Sequence, residues 1–423
     1  MNRPLNHREK YHFRRYNSIG KEELDAATKV ISSGVLSSFV GSWSPSFHGG
    51  EQVQALEREM QDFFGVKHAI SVNSWTSGLI AAVGALNLEP GDEVIVPTWT
   101  MSATATAILV WNCVPIFADI DENTFCISTE SVRKLITPRT RAVIAVDIFG
   151  QSSDIESLKH ICSKFDLKLI SDSAQAPNAK RGAKFAGSMA DIGGISLNYH
   201  KHIHSGEGGI IFTNDAEYAL RMKLVRNHGE VVLAEMPANE RPKNTAGIIG
   251  YNFRMGEIEA AIARQQLKKL DALTKRREDV AIRLIQGLNK LEGMRLPKVD
   301  EKNSHVYYMF PIVLKDRALE LGRELICSSL EANGLFPVER GYENLHLLPI
   351  YRKRNAYGKS SIPWGLNDFF NPENYSKGSC PVAEDLNSKS LFLIPLCVYE
   401  MDDADIEIVL EIFYETWREL GMN

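Results

Sequence analysis

An α/β fold, with a large domain built on a mixed, mostly parallel sheet flanked by helices and a smaller C-terminal α+β domain, is predicted by three features. Short apolar runs alternate with amphipathic stretches along much of the chain, the pattern of strands joined by crossover helices. A stripe of apolar residues at helical spacing begins near Gly256 and leads into the C-terminal part. The 423 residues, 44% of them apolar, exceed one ordinary core and suffice for two or three domains.

In chain order, residues 22–33 read as a helix ended by Gly34. Residues 69–72 are a strand that enters Asn73-Ser74-Trp75-Thr76-Ser77-Gly78, and a helix follows through Leu86. Strands over 93–96 (stopped by Pro97), 114–117, 142–146 and 167–170 come next, the last delivering Asp172, and residues 210–213 return as a sixth. The helix from Gly256 carries Ile258, Ile262, Leu270, Leu273, Val280 and Leu284 on one stripe; its other face, with Lys268, Lys269, Lys275, Arg276 and Arg277, reads as solvated. Residues 305–314 are a strand and 404–420 a terminal helix. The resulting division is an N-terminal arm and large domain over 1–255, a connecting helix over 256–292, and a small domain over 293–423. Between Arg354 and Cys380 lies a stretch rich in Ser, Asn, Gly and aromatics, expected to be a functional or mobile loop.

Composition excludes several classes of partner. A net charge of -5 and a pI near 6.2 give no basis for binding nucleic acid or an anionic membrane. Six scattered cysteines without a CxxC pair fit reduced thiols and a cytoplasmic protein. The basic N-terminus (Arg3, Arg8, Lys10, Arg14, Arg15) has no apolar run behind it and reads as a solvated arm, not a secretory signal. The uncharged stretches 69–88 and 94–118 are interrupted by polar residues and by Pro97 and Pro115, so they read as buried core, not membrane spans.

The chemistry centres on Lys201. It precedes Gly206-Glu207-Gly208-Gly209, whose glycines let the backbone turn tightly beside a ligand, and then an apolar strand. That is a setting suited to a Schiff-base lysine, which must shed its proton in a sheltered place. Ser196, five positions earlier, can offer a hydroxyl to a phosphate. Asp172, at a strand's C-terminal end, is where α/β sheets present ligand contacts; a carboxylate there can keep a pyridine nitrogen protonated, although helix capping is the plainer role. Gln175 can reach a ring hydroxyl or simply face solvent. The turn at Trp75-Thr76, where strand meets helix, is an anion site by dipole and free N–H groups, or an ordinary cap. Asn252, before the long helix, is a turn residue that can also reach a phosphate. Taken together these segments point to pyridoxal phosphate. His200, His202 and His204 alternate, but no fourth ligand lies nearby, so packing or substrate contact is expected of them in place of a metal site.

These segments, in this order, resemble the DegT/DnrJ/StrS family of sugar aminotransferases, which have the fold type I, aspartate aminotransferase-like architecture. The likeness runs from Tyr16-Asn17-Ser18-Ile19-Gly20 through Gly91-Asp92-Glu93-Val94, the Asp172 and Lys201 segments and Gly250-Tyr251-Asn252-Phe253-Arg254, to Cys380-Pro381-Val382-Ala383-Glu384. The resemblance implies that Lys201 carries the pyridoxal 5'-phosphate and shuttles protons, that Asp172 pairs with the ring nitrogen and Gln175 meets the ring hydroxyl. It implies that Ser196 and the Trp75-Thr76 turn hold the phosphate, and that Asn252 reaches the cofactor of a neighbouring subunit in a homodimer with shared active sites. Three departures stand out. Trp75 replaces the family's glycine beside the phosphate. The aromatic that stacks on the cofactor falls at Met101, with Trp99 two positions earlier. Residues 359–379 look like an insertion.

The implied activity is transfer of the amino group of L-glutamate to a keto sugar, a nucleotide-linked one first, in amino sugar biosynthesis for a surface polysaccharide or a glycosylated metabolite. Rivals are the family's sugar dehydratases, in which histidine replaces the lysine, an aminotransferase for a cyclitol or phosphorylated ketone, and a non-catalytic sugar-binding relative. Lys201 argues against the first, and Lys201, Asp172 and Gln175 together argue against the last.

Overall fold

Seven strands form the large sheet: β1 (His68–Val72), β2 (Glu93–Pro97), β3 (Val114–Ala118), β4 (Thr140–Val146), β5 (Lys168–Asp172), β6 (Ile192–Ser196) and β7 (Gly209–Thr213). The computed structural model describes residues 11–245, 248–300 and 302–422, so Arg3, Arg8 and Lys10 of the expected arm lie outside the described residues. The spatial order is β1-β7-β6-β5-β4-β2-β3. β7 runs against both neighbours, and every other pair is parallel. Nearly every strand residue is buried, because helices cover both faces of a largely parallel sheet.

β6, which carries Gly193 and Gly194 at its centre, was not among the expected strands. Both are demanded by packing. A Cβ on Gly193 would stand 2.1 Å from the Gly187 carbonyl oxygen, and one on Gly194 would stand 2.3 Å from the Trp75 ring. Close approach, not chain reversal, selects glycine here.

Helix α1 (Lys21–Ser33) ends at Gly34, whose φ of 73° is the left-handed stop expected of a glycine. α2 (Glu51–Phe64) turns Val53, Leu56, Met60 and Phe64 inward. Its buried Glu57 binds the equally buried Arg226 at 2.6 Å, a pair that costs about 3–5 kcal/mol to break from one side. α3 (Trp75–Ala85) and α4 (Ser102–Val110) follow β1 and β2. α5 (Glu257–Leu288) is the long connecting helix.

The charged face of α5 is only partly solvated. Lys268, Lys275 and Arg276 are exposed, but Lys269 pairs with the buried Glu23 of α1 at 2.7 Å. Arg277 is itself buried, its guanidinium 4.5 Å over the Tyr16 ring. The N-terminal segment thus takes up part of this face, which a helical-period reading alone does not reveal.

The C-terminal sheet is β8 (Met294–Arg295), β9 (Phe310–Leu314) and β10 (Leu391–Ile394), antiparallel throughout. It packs against the second half of α5 (Val280, Leu284, Leu288) and against α6 (Asp403–Glu419) through Val409, Phe413 and Trp417. The strand expected over 305–314 begins only at Phe310. Residues 305–309 instead turn onto the segment that follows β4: Val306 N–H donates to Gly150 O, Met309 N–H to Phe149 O, and Tyr307 takes a φ of 47°.

The stretch between 345 and 386 returns to the large-sheet core. Trp364 donates its indole N–H to the Tyr375 hydroxyl, which donates to Pro115 O of β3 at 2.6 Å, and Asn367 donates to Glu93 of β2. In the stretch expected to be a functional or mobile loop, Trp364 and Tyr375 thus cover the β3 edge of the sheet. Among the described residues no helix is long and apolar enough to cross a membrane.

Candidate active site

A cavity of about 240 Å³ opens where the C-terminal ends of β5 and β6 meet the start of α3. Trp75, Thr76, Met101, Asp172, Gln175, Ser196 and Lys201 all line it. The parallel strands explain the convergence, because their C-terminal ends share one edge of the sheet.

Lys201 sits in the loop between β6 and β7, tied at its base by Leu197 N–H to Gly208 O and by Ser205 N–H to Leu197 O. Gly206 and Gly208 have φ of 86° and 150°, and a Cβ on Gly208 would meet Met255 at 2.8 Å. The lysine is buried, with Nζ 4.2 Å above the Tyr308 ring. Burial pushes its pKa down to about 8, opposed by the nearby Cys397 and Asp172. An amine so held loses its proton far more readily than a surface lysine.

Asp172, last residue of β5, is also buried. Its Oδ1 accepts the Trp75 indole N–H at 2.6 Å and the Ala174 N–H at 3.2 Å, and its Oδ2 accepts the Thr104 hydroxyl at 2.8 Å. Burial raises its pKa; Thr104, Trp75, Ala174 and Lys201 each pull it back. Gln175 accepts the Phe149 N–H at 2.7 Å and turns its amide nitrogen to the Tyr342 hydroxyl at 3.4 Å. The Ser74 side chain caps α3 through the Ser77 N–H at 3.1 Å, and Thr76 is exposed at the cavity that Ser196 also lines.

Trp75 turns its ring inward and is only 6% exposed. Its ring lies against Gly78 and Gly194 and its N–H reaches Asp172. Of the two residues near the expected stacking position, Met101 is 65% exposed and lines the cavity, whereas Trp99 is fully buried and donates to Asn344 at 2.8 Å. Asn252 is not brought to this cavity: it is exposed, and its Oδ1 accepts Arg254 Nε–H at 2.7 Å. The histidines diverge. His202 is buried with Nε2 2.7 Å from Val306 O, His200 lines the cavity with its pKa pushed down to about 4 by burial, and His204 Nδ1 accepts the Gly206 N–H.

Thr104, Asn198, Tyr308 and Tyr342 also line the cavity and were not among the expected site residues. Asn198, three residues before Lys201, and Thr104, one turn into α4, follow from the motifs around them. Tyr308 and Tyr342 come from distant segments with no local pattern to mark them.

The groups present fit pyridoxal phosphate. A buried amine of lowered pKa stands beside a carboxylate whose oxygens are held by neutral donors, and hydroxyls of Thr76 and Ser196 lie with the N-terminus of α3 for a phosphate. Residues 18–413 match the DegT/DnrJ/EryC1/StrS aminotransferase family. The spore coat polysaccharide biosynthesis protein SpsC of Bacillus subtilis (strain 168) is 30% identical over 93% of this chain and 94% of its own. The GDP-perosamine synthase of Caulobacter vibrioides is 35% identical over 71% of this chain and 79% of its own. The crystal structure of an aminotransferase from Psychrobacter cryohalolentis has the same fold, with a TM-score of 0.81, 24% identity, and coverage of 97% of this chain and 100% of that one. The chain therefore belongs to the DegT/DnrJ/EryC1/StrS family and is a fold type I, pyridoxal-phosphate-dependent aminotransferase.

Proposed function

We propose that this aminotransferase takes the amino group of L-glutamate and delivers it to the carbonyl carbon of a nucleotide-linked keto sugar, in the cytoplasm, for a surface polysaccharide or glycosylated metabolite. The observation that carries the reading is Lys201, buried with its pKa near 8, facing the same cavity as the Asp172 carboxylate. Relatives named for polysaccharide biosynthesis and for GDP-perosamine support the sugar.

Bound pyridoxal phosphate supplies an electron sink that acidifies the Cα–H of an amino donor. Lys201 Nζ, neutral once it has shed its proton, takes the proton from the donor Cα, and in the second half-reaction returns one to the former carbonyl carbon of the sugar. Asp172 holds the proton on the ring nitrogen, Gln175 contacts the ring hydroxyl, and Thr76 and Ser196 orient the phosphate. The Tyr308 ring covers the Lys201 amine on one side, 4.2 Å from Nζ. Asn252, exposed and turned from its own chain's cavity, serves the cofactor of a second copy in a homodimer.

The test is incubation with L-glutamate and a panel of nucleotide-linked keto sugars, read by product mass. The reading expects the carbonyl oxygen replaced by an amine, with one 2-oxoglutarate per amine formed. A sugar that loses a hydroxyl and gains no nitrogen would overturn it in favour of dehydration.

A further inference from the structure

We propose that Trp75 is a positioning residue that fixes the Asp172 carboxylate for the cofactor ring. The inference rests on Asp172 being the partner of the ring nitrogen. Trp75 opens α3, yet it is only 6% exposed, and its indole N–H donates to Asp172 Oδ1 at 2.6 Å. The ring is received by a slot made of two glycines. A Cβ on Gly78 would stand 2.7 Å from the ring edge, and one on Gly194 would stand 2.3 Å from it. Helix α3, strand β6 and the end of β5 therefore meet through one indole.

The other side of the carboxylate is held in the same manner. Thr104 donates its single hydroxyl hydrogen to Asp172 Oδ2 at 2.8 Å, so the 2.6 Å contact between Thr104 and Thr100 must run from Thr100 to Thr104. An aspartate's carboxylate torsion is soft by itself. Donors on both oxygens lock its plane, and charge-assisted bonds from neutral groups favour the ionised form without placing a second cation on the floor of the site. The titratable groups that face Asp172 are Lys201 and Tyr342. A Phe at position 75 would fill the glycine slot and leave Oδ1 with the Ala174 N–H alone.

The experiment titrates pyridoxal 5'-phosphate into cofactor-free wild type, Trp75→Phe, Gly78→Ala and Asp172→Ala. It reads the Kd, the pH at which the bound cofactor's absorbance titrates, and the Tm before cofactor is added. Trp75→Phe is expected to raise Kd about tenfold or more, the usual value of a hydrogen bond to a charged group, and to move the absorbance titration while leaving the cofactor-free Tm near that of wild type. Gly78→Ala keeps the N–H but displaces the ring, and is expected to shift both cofactor readouts in the same direction. A lower Tm for Trp75→Phe with unchanged Kd and titration would reduce Trp75 to a packing residue and overturn the proposal. An unchanged Kd for Asp172→Ala would overturn the assignment of Asp172 and the role of Trp75 with it. Weak binding by Asp172→Ala beside wild-type binding by Trp75→Phe would overturn the role of Trp75 alone.

Discussion

Asp147 and Asp172 stand at the ends of adjacent strands, β4 and β5, both buried and both with pKa raised by that burial. Asp147 accepts the Ser153 N–H on one oxygen at 2.7 Å and the hydroxyls of Ser171 and Ser173 on the other. These donors close around it, and it lines no part of the cavity. Asp172 is held as firmly by Trp75, Thr104 and Ala174, but it faces the cavity and Lys201. Burial and strand-end position are thus shared by a carboxylate closed in by its donors and one that faces the cavity. Access to a cavity that also holds a low-pKa amine is what separates them.

The largest effect expected from breaking this contrast is on Lys201. Lys201→Ala should lose aminotransfer by roughly 10⁴-fold or more, the upper range of acid–base catalysis, together with the yellow absorbance of lysine-bound cofactor. Steady-state kinetics and a spectrum check it. Next comes the paired substitution of the two aspartates. Asp172→Asn should cut kcat about 10²–10³-fold, as losses of preorganised electrostatics do. Asp147→Asn should leave kcat within a few-fold but lower unfolding free energy by about 1–3 kcal/mol through its disturbed hydroxyl cluster. Denaturant melts beside kinetics separate the two.

Lys201 also burdens the cofactor-free fold. Its folded pKa is near 8, whereas the unfolded lysine titrates near 10.5. Between those values the unfolded chain binds more protons, so stability rises with pH across the window. The cost is complete below about pH 8 and gone above about 10.5. Lys201→Met should therefore be more stable than wild type near neutral pH, by on the order of 3 kcal/mol at about 1.4 kcal/mol for each tenfold difference in proton affinity. Equal stability at pH 7 would show the lysine to be better solvated than its surroundings suggest. The smallest effect belongs to Thr104→Val, which removes one charge-assisted donor from Asp172 and should cost about tenfold in kcat/KM, the low end for a hydrogen bond to a charged group.

Lys201 and Asp172 were legible because each sits in a contiguous segment whose chemistry is local: a lysine before a glycine turn, an aspartate ending an apolar strand. Strand β6 was hidden because two glycines interrupt its apolar run, and Gly193 and Gly194 serve contact between elements, which no local propensity reveals. Arg277 was misread as solvated because the segment that buries it comes from around Tyr16, far away in sequence. Tyr308 and Tyr342 reach the cavity from segments beyond α5 and obey no periodicity at all. The bulk of Trp75 was noticed, but where its ring goes depends on two glycines, Gly78 and Gly194, in different elements. Local chemistry can be read from a sequence; juxtaposition across elements cannot.

A single turnover without acceptor tests the central claim most directly. Cofactor-loaded wild type, Asp147→Asn, Asp172→Asn and Lys201→Ala are mixed with L-glutamate, and 2-oxoglutarate is counted per chain. The account predicts about one equivalent, with fading of the yellow colour, for wild type and Asp147→Asn, a strongly slowed release for Asp172→Asn, and none for Lys201→Ala. No 2-oxoglutarate from wild type, or equal loss from the two aspartate variants, would contradict it.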